Sequence, residues 1–151
     1  MHSRTRTPAK RASDTRNSCD GVDDDAHRSA GPLIHLKAQR GRGGYIKDIY
    51  FKNITMLGET NQAILVSMHY SNRIGPTNAT ATPAFSNIFF DGVSIEAAVS
   101  PGGFVGLPEA LIESIHLTNV KVHNTSKSWT CTDIDNATSS ATNVSPPLTC
   151  F

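Results

Sequence analysis

Along residues 46–56 the apolar side chains are Ile46, Ile49, Phe51, Ile54 and Met56, spaced by three, two, three and two positions. A surface helix repeats its apolar face every 3.6 residues and a half-buried strand every second residue. This spacing fits neither, yet it recurs. Phe85, Ile88, Phe90, Val93 and Ile95 repeat it, and so do Ile112, Ile115, Leu117, Val120 and Val122. With each unit numbered from 1 to 11, positions 1, 4, 6, 9 and 11 are apolar. Positions 3 and 8 hold small or polar residues: Asp48 and Asn53, Asn87 and Gly92, Ser114 and Asn119. A self-similar segment recurring at this scale marks a stacked architecture.

The spacing predicts two short strands joined by a bend. Positions 4 and 6 are the inward pair of one strand, and 9 and 11 those of the next, because strand side chains alternate faces. Between them the chain turns, and Asn, Asp and Gly tolerate the left-handed backbone that a turn demands. A further apolar run precedes each unit: Leu33 to Leu36, Ile64 to Met68 and Phe104 to Leu107. The expected chain is all-β, a parallel β-helix of about three coils with three strands per coil. Longer excursions are expected at 57–62, 70–84 and 96–103. An antiparallel sandwich would explain short strands but not the shared spacing.

The 151 residues suffice for one core, and 38% hydrophobic and 18% charged residues describe an ordinary globular composition. The first part differs. Residues 1–32 are rich in arginine, include Asp23, Asp24 and Asp25 in one run, and contain almost no large apolar side chains. They read as a disordered or foreign N-terminal segment ahead of a β-helical part over 33–151. A net charge of +1 gives no case for a nucleic acid or a membrane surface. The chain reads as a monomer, and nothing suggests a metal or organic cofactor. The basic start lacks the apolar stretch of a signal peptide. Cys131 and Cys150 could close a loop in the polar C-terminal tail, with Cys19 left over. Asn53, Asn78, Asn124, Asn136 and Asn143 begin Asn-x-Ser/Thr triplets, candidate glycosylation sites if the chain is secreted.

Several stretches carry a resemblance. HLKAQRGRGGYIKDIYFKNITM, AILVSMHY, TPAFSNIFFDGV, GLPEALIESIHLTNVKV and the closing VSPPLTC resemble the C-terminal part of family 28 glycoside hydrolases, the polygalacturonases and their relatives. The resemblance implies a right-handed parallel β-helix. It also implies inverting hydrolysis of α-1,4-galacturonosyl bonds in pectin, by a secreted or cell-wall enzyme. Inversion needs an acid and a separate base with room for a water between them. The family takes these from an Asn-Thr-Asp motif and an Asp-Asp pair, followed by Gly-His-Gly. None has a counterpart here. Asp23, Asp24 and Asp25 stand too close to Lys37 to serve. On this reading the chain is a C-terminal portion, inactive alone, with no catalytic residue of its own.

The family's Arg-Ile-Lys motif has a counterpart in His35-Leu36-Lys37. Lys37 matches the lysine that meets a galacturonate carboxylate, a task suited to an ammonium charge. His35 replaces the arginine and gives up its two-pronged donor fork. Tyr70 falls where the family has a tyrosine beside the sugar. Arg40 and Arg42 read either as solvated turn residues or as cations for an acidic polymer. A pectin-binding or purely structural module is the alternative to an enzyme. Trp129 is expected to pack the tail over one end of the stack.

Overall fold

The computed structural model describes residues 29–69 and 81–151. Among the described residues there are six strands and no helix: β1 (Ser29–Lys37), β2 (Tyr45–Ser67), β3 (Ala84–Val105), β4 (Glu113–Val122), β5 (Thr130–Thr132) and β6 (Ser140–Ser145). They form one sheet system in the order β1-β2-β3-β4-β6, with β5 on β3. Every strand ladder is parallel. Parallel neighbours joined by long loops of chain, with equivalent residues in register, are a parallel β-helix rather than a sandwich.

The register aligns the repeats position by position. Ile49 pairs with Ile88 and Ile88 with Ile115. Phe51, Phe90 and Leu117 follow, and then Ile54, Val93 and Val120. Like stacks on like, so the inward faces merge into one column. Positions 3 and 8 carry the bends. Asp48, Asn53, Asn87, Ser114 and Asn119 have φ between 52° and 57°, and Gly92 has 67°. This left-handed backbone is costly for most residues and is visited mainly by Gly, Asn and Asp. The side chains at the bends also stack. Asn87 Nδ2 donates to Asp48 Oδ1 at 2.9 Å.

Two features differ from the pattern of apolar residues. The segments 57–62 and 96–103 are not excursions. Glu59 pairs with Ala97, Thr60 with Ala98 and Gln62 with Ser100, so β2 and β3 run on through them. Backbone pairing needs matched lengths, not apolar side chains. A fourth rung also exists. β6 lies on β4, with Thr118 beside Thr142 and Val120 beside Val144. Asn143 occupies position 8 there, with φ 54°, and its Nδ2 donates to Asn119 Oδ1 at 2.7 Å. Asn136, Ser139 and Pro146 hold positions 1, 4 and 11 of that rung, which hides it from a hydrophobic reading.

The core sits in the middle coils. Ile88, Val93, Ile95, Ile112, Ile115 and Val120 are fully buried. In the first unit Ile46, Ile49, Phe51, Ile54 and Met56 are only half-buried, and Ile46, Phe51, Ile54 and Met56 pack against that core from one side. At the other end Trp129 stacks on Phe104, with ring centroids 5.8 Å apart, and donates from Nε1 to Pro146 O at 2.9 Å. Phe151 meets Phe104 from a second side. Cys131, in β5, forms a disulfide with Cys150, their Cα atoms 5.9 Å apart. The tail is therefore fastened over the last coil by a bond, a hydrogen bond and ring contacts.

Burial sets the expected cost of core truncation. Ile115→Ala should destabilise by about 2–5 kcal/mol in urea unfolding. Ile49→Ala should cost clearly less, although both occupy position 4. Equal costs would mean that the first coil is as enclosed as the third. Asn119→Ala should cost about 1–2 kcal/mol for the left-handed backbone alone, and Asn119→Gly less. An Asn119→Gly chain weaker than Asn119→Ala would show that the bend does not govern the position.

Candidate functional site

β1 alternates faces as a strand must. Ile34 points into the core and Leu36 packs against it, while His35 and Lys37 face outward and are exposed. Spacing of two residues puts both polar side chains on one face. The ladder carries that face across the stack. His35 lies beside Leu65, Gly103 and Thr130 in successive coils, and Lys37 beside Ser67, Val105 and Thr132. The coils come close at Gly103, where a Cβ would lie 2.1 Å from Thr130 Oγ1. The outer rows beside His35 and Lys37 thus mix Leu65 and Val105, both half-buried, with the buried Ser67 and Gly103 and the exposed Thr130 and Thr132. Burial lowers the pKa of His35 below 6.5, and the charge of Lys37 lowers it further. The imidazole is neutral at pH 7, and Lys37 carries the positive charge of the pair.

The chain leaves β1 through a glycine-rich turn. Gly41, Gly43 and Gly44 all have left-handed φ, at 84°, 59° and 77°. The turn's backbone is fixed from one side: Gly41 N and Gly43 N both donate to Ala81 O, at 2.7 and 3.1 Å. From the other side it is fixed by a side chain. Arg40 is not a solvated turn residue. It is buried, and its guanidinium meets the Glu109 carboxylate in a two-pronged ion pair, Nε to Oε1 and Nη2 to Oε2, the latter at 2.7 Å. The hydrogen bonds from Arg40 hold the Glu109 carboxyl below its ordinary range, and the Arg40 and His69 charges add to this. The two residues stand 69 positions apart. No local signal joins them, but the coil register does. Arg40 follows Lys37 by three residues, and Glu109 follows its rung partner Val105 by four. Arg42 is exposed.

His69 lies between them in chain order, in the bend after β2. Its backbone N donates to Ser67 Oγ at 3.0 Å, and its buried Nε2 has no hydrogen-bond partner among the described residues. Tyr70 and Asn78 lie outside the described residues, as do Cys19 and Asp23, Asp24 and Asp25. Of the other asparagines that begin glycosylation triplets, Asn53 and Asn143 stand at left-handed bends. Asn124 also has a left-handed φ and donates from Nδ2 to Glu96 O at 3.2 Å. Asn136 is exposed in a turn. Among the described residues no group of three His, Cys, Asp or Glu side chains could hold a metal ion.

With this fold and these rows in view, comparison with known proteins is direct. The profile of glycosyl hydrolases family 28 matches residues 22–142, which takes in β1 to β5. A probable polygalacturonase of Vitis vinifera is 28% identical over 113 residues, 72% of this chain and 23% of the relative. The chain therefore spans less than a quarter of that relative's length. No solved structure matches the chain. The family match covers most of the sequence and nearly all of the described coils, and the chain belongs to glycosyl hydrolases family 28.

Proposed function

We propose that this chain forms the carboxylate-binding floor of a polygalacturonase-like glycoside hydrolase acting on pectin. Lys37 meets a galacturonate carboxylate, and His35 and Tyr70 flank the same sugar. The observation that carries this reading is the pair His35 and Lys37, side by side on the exposed outer face of β1 and in register with the coils that follow. A single ammonium charge there binds a carboxylate without the planar match an arginine would give. Hydrolysis of the α-1,4-galacturonosyl bond with inversion requires an acid and a base. The sequence contains no Asn-Thr-Asp or Gly-His-Gly motif to supply them. The 151 residues alone should therefore bind the polymer without cutting it. Work outside the cell, at the wall, is supported by the Cys131–Cys150 bond, since such bonds persist in oxidising compartments.

A binding module that grips pectin through three cations is less well supported. Arg40 is buried and its guanidinium is engaged by Glu109, so that charge is already matched within the fold.

Calorimetric titration with polygalacturonate tests the proposal. Binding should be measurable at low salt and weaken as salt screens the exposed charges. Lys37→Ala should lower the affinity by about tenfold or more, the scale of one hydrogen bond to a charged group. Unchanged affinity in Lys37→Ala would remove the basis of the reading. The same preparation should release no reducing ends from polygalacturonate. Release of reducing ends by the purified chain would show that it carries its own acid and base.

The pH dependence follows from His35. Its folded pKa lies below 6.5, so it gains charge only as the pH falls through that lower value. Galacturonate carboxylates stay ionised down to about pH 4. Affinity for polygalacturonate at constant ionic strength should therefore rise from pH 7 towards pH 4.5, and His35→Gln should flatten the rise. Stability has the opposite sign. The unfolded imidazole protonates first, so the contribution of neutral His35 is complete above 6.5 and is lost as the pH falls. A pH profile of binding identical in His35→Gln and the native chain would remove His35 from the site.

A further inference from the structure

We propose that Glu109 is a positioning residue for the carboxylate-binding floor, acting through Arg40 on the turn that carries the chain away from Lys37. The inference rests on the floor reading above. Its starting point is the turn's composition. Three of the four residues 41–44 are glycines, and all three take left-handed φ. Glycine has no steric preference for that backbone, so the sequence of the turn does little to hold it in one conformation. The restraint must come from elsewhere. Two backbone bonds to Ala81 O supply part of it. Arg42 N to Gln39 O and Ala84 N to Gly44 O add to it, and a side-chain tie is the Arg40–Glu109 fork, which reaches from the end of the first coil to the loop after β3.

The geometry suits a brace. Arg40 stands three residues from Lys37 and is buried, while the Glu109 it meets is partly exposed. A fork of two parallel donors fixes orientation as well as distance, which a single ammonium contact cannot do. Glu109 is anchored in turn. It sits in a short loop where Leu107 and Ala110 exchange backbone hydrogen bonds at 3.0 and 2.9 Å, and Ile112 is bonded to Asp133 at 3.1 Å. The brace therefore ties the glycine turn to a closed loop standing on the buried core at Leu107 and Ile112. Neither Arg40 nor Glu109 needs to touch the sugar. Their effect on binding passes through the placement of Lys37.

A double-mutant cycle on the full chain tests this, with polygalacturonate affinity as the readout and circular dichroism as the check on folding. Glu109→Gln keeps the side chain's shape and removes its charge. Alone it should weaken binding by about threefold, the scale of coupling between residues of one network. In a Lys37→Ala background it should have no further effect, because there is no ammonium left to place. Arg40→Lys, which keeps the charge but loses the fork, should behave like Glu109→Gln and provides the same cycle if the first variant does not fold. If Glu109→Gln and Arg40→Lys bind as the native chain does while Lys37→Ala is weakened, the brace is overturned and the floor stands. The same holds if the losses multiply in the double variants. If Lys37→Ala itself binds normally, the floor reading fails first.

Discussion

Everything in this fold depends on one backbone constraint. At two bends in each of the coils of β2, β3 and β4, and at one in the coil of β6, a residue must take a left-handed conformation so that the chain can bend and still meet its own previous coil in register. Asp48, Asn87 and Ser114 satisfy it at one rung, and Asn53, Gly92, Asn119 and Asn143 at the other. Once those bends align, the ladders must be parallel and every inward residue must land on its counterpart. The buried column of isoleucines, valines and phenylalanines follows from the bends rather than causing them. Hydrophobic burial then supplies the stability, but it could be satisfied by many topologies. The bends select this one.

The same constraint builds the candidate site. Because the coils repeat in register, outward residues also line up, and the rows of His35 and Lys37 continue across β2, β3 and β5. At the β1 end Lys37 brings the positive charge, with the imidazole of His35 beside it. The stack also brings the ends of the coils together, so a turn after β1 and a loop after β3 share a bend although they are far apart in sequence. That is how Arg40 finds Glu109.

Much of the architecture was legible in the chain. The 3-2-3-2 spacing located three coils, and the small polar residues at positions 3 and 8 located the left-handed bends. What was not legible has physical reasons. The fourth rung is built on Ala141 and Val144, with Asn136, Ser139 and Pro146 where apolar residues stand elsewhere. A coil at the end of a stack buries only one side and can be written in polar residues. The segments 57–62 and 96–103 looked like loops because they are polar, but their backbones pair. His35 and Lys37 were legible through resemblance to a family motif. The burial of Arg40 was not, because an arginine beside glycines carries no sign of a partner 69 residues away.

The most direct measurement is a heteronuclear NMR titration of the chain with short oligogalacturonates, following every backbone amide. The account predicts that the shifts concentrate on one outer strip: His35 to Lys37, then Leu65 to Ser67, then Gly103 to Val105. The opposite outcome is equally clear. Shifts centred on the other outward face, around Lys47 to Lys52, or no shifts at all at millimolar ligand, would contradict it.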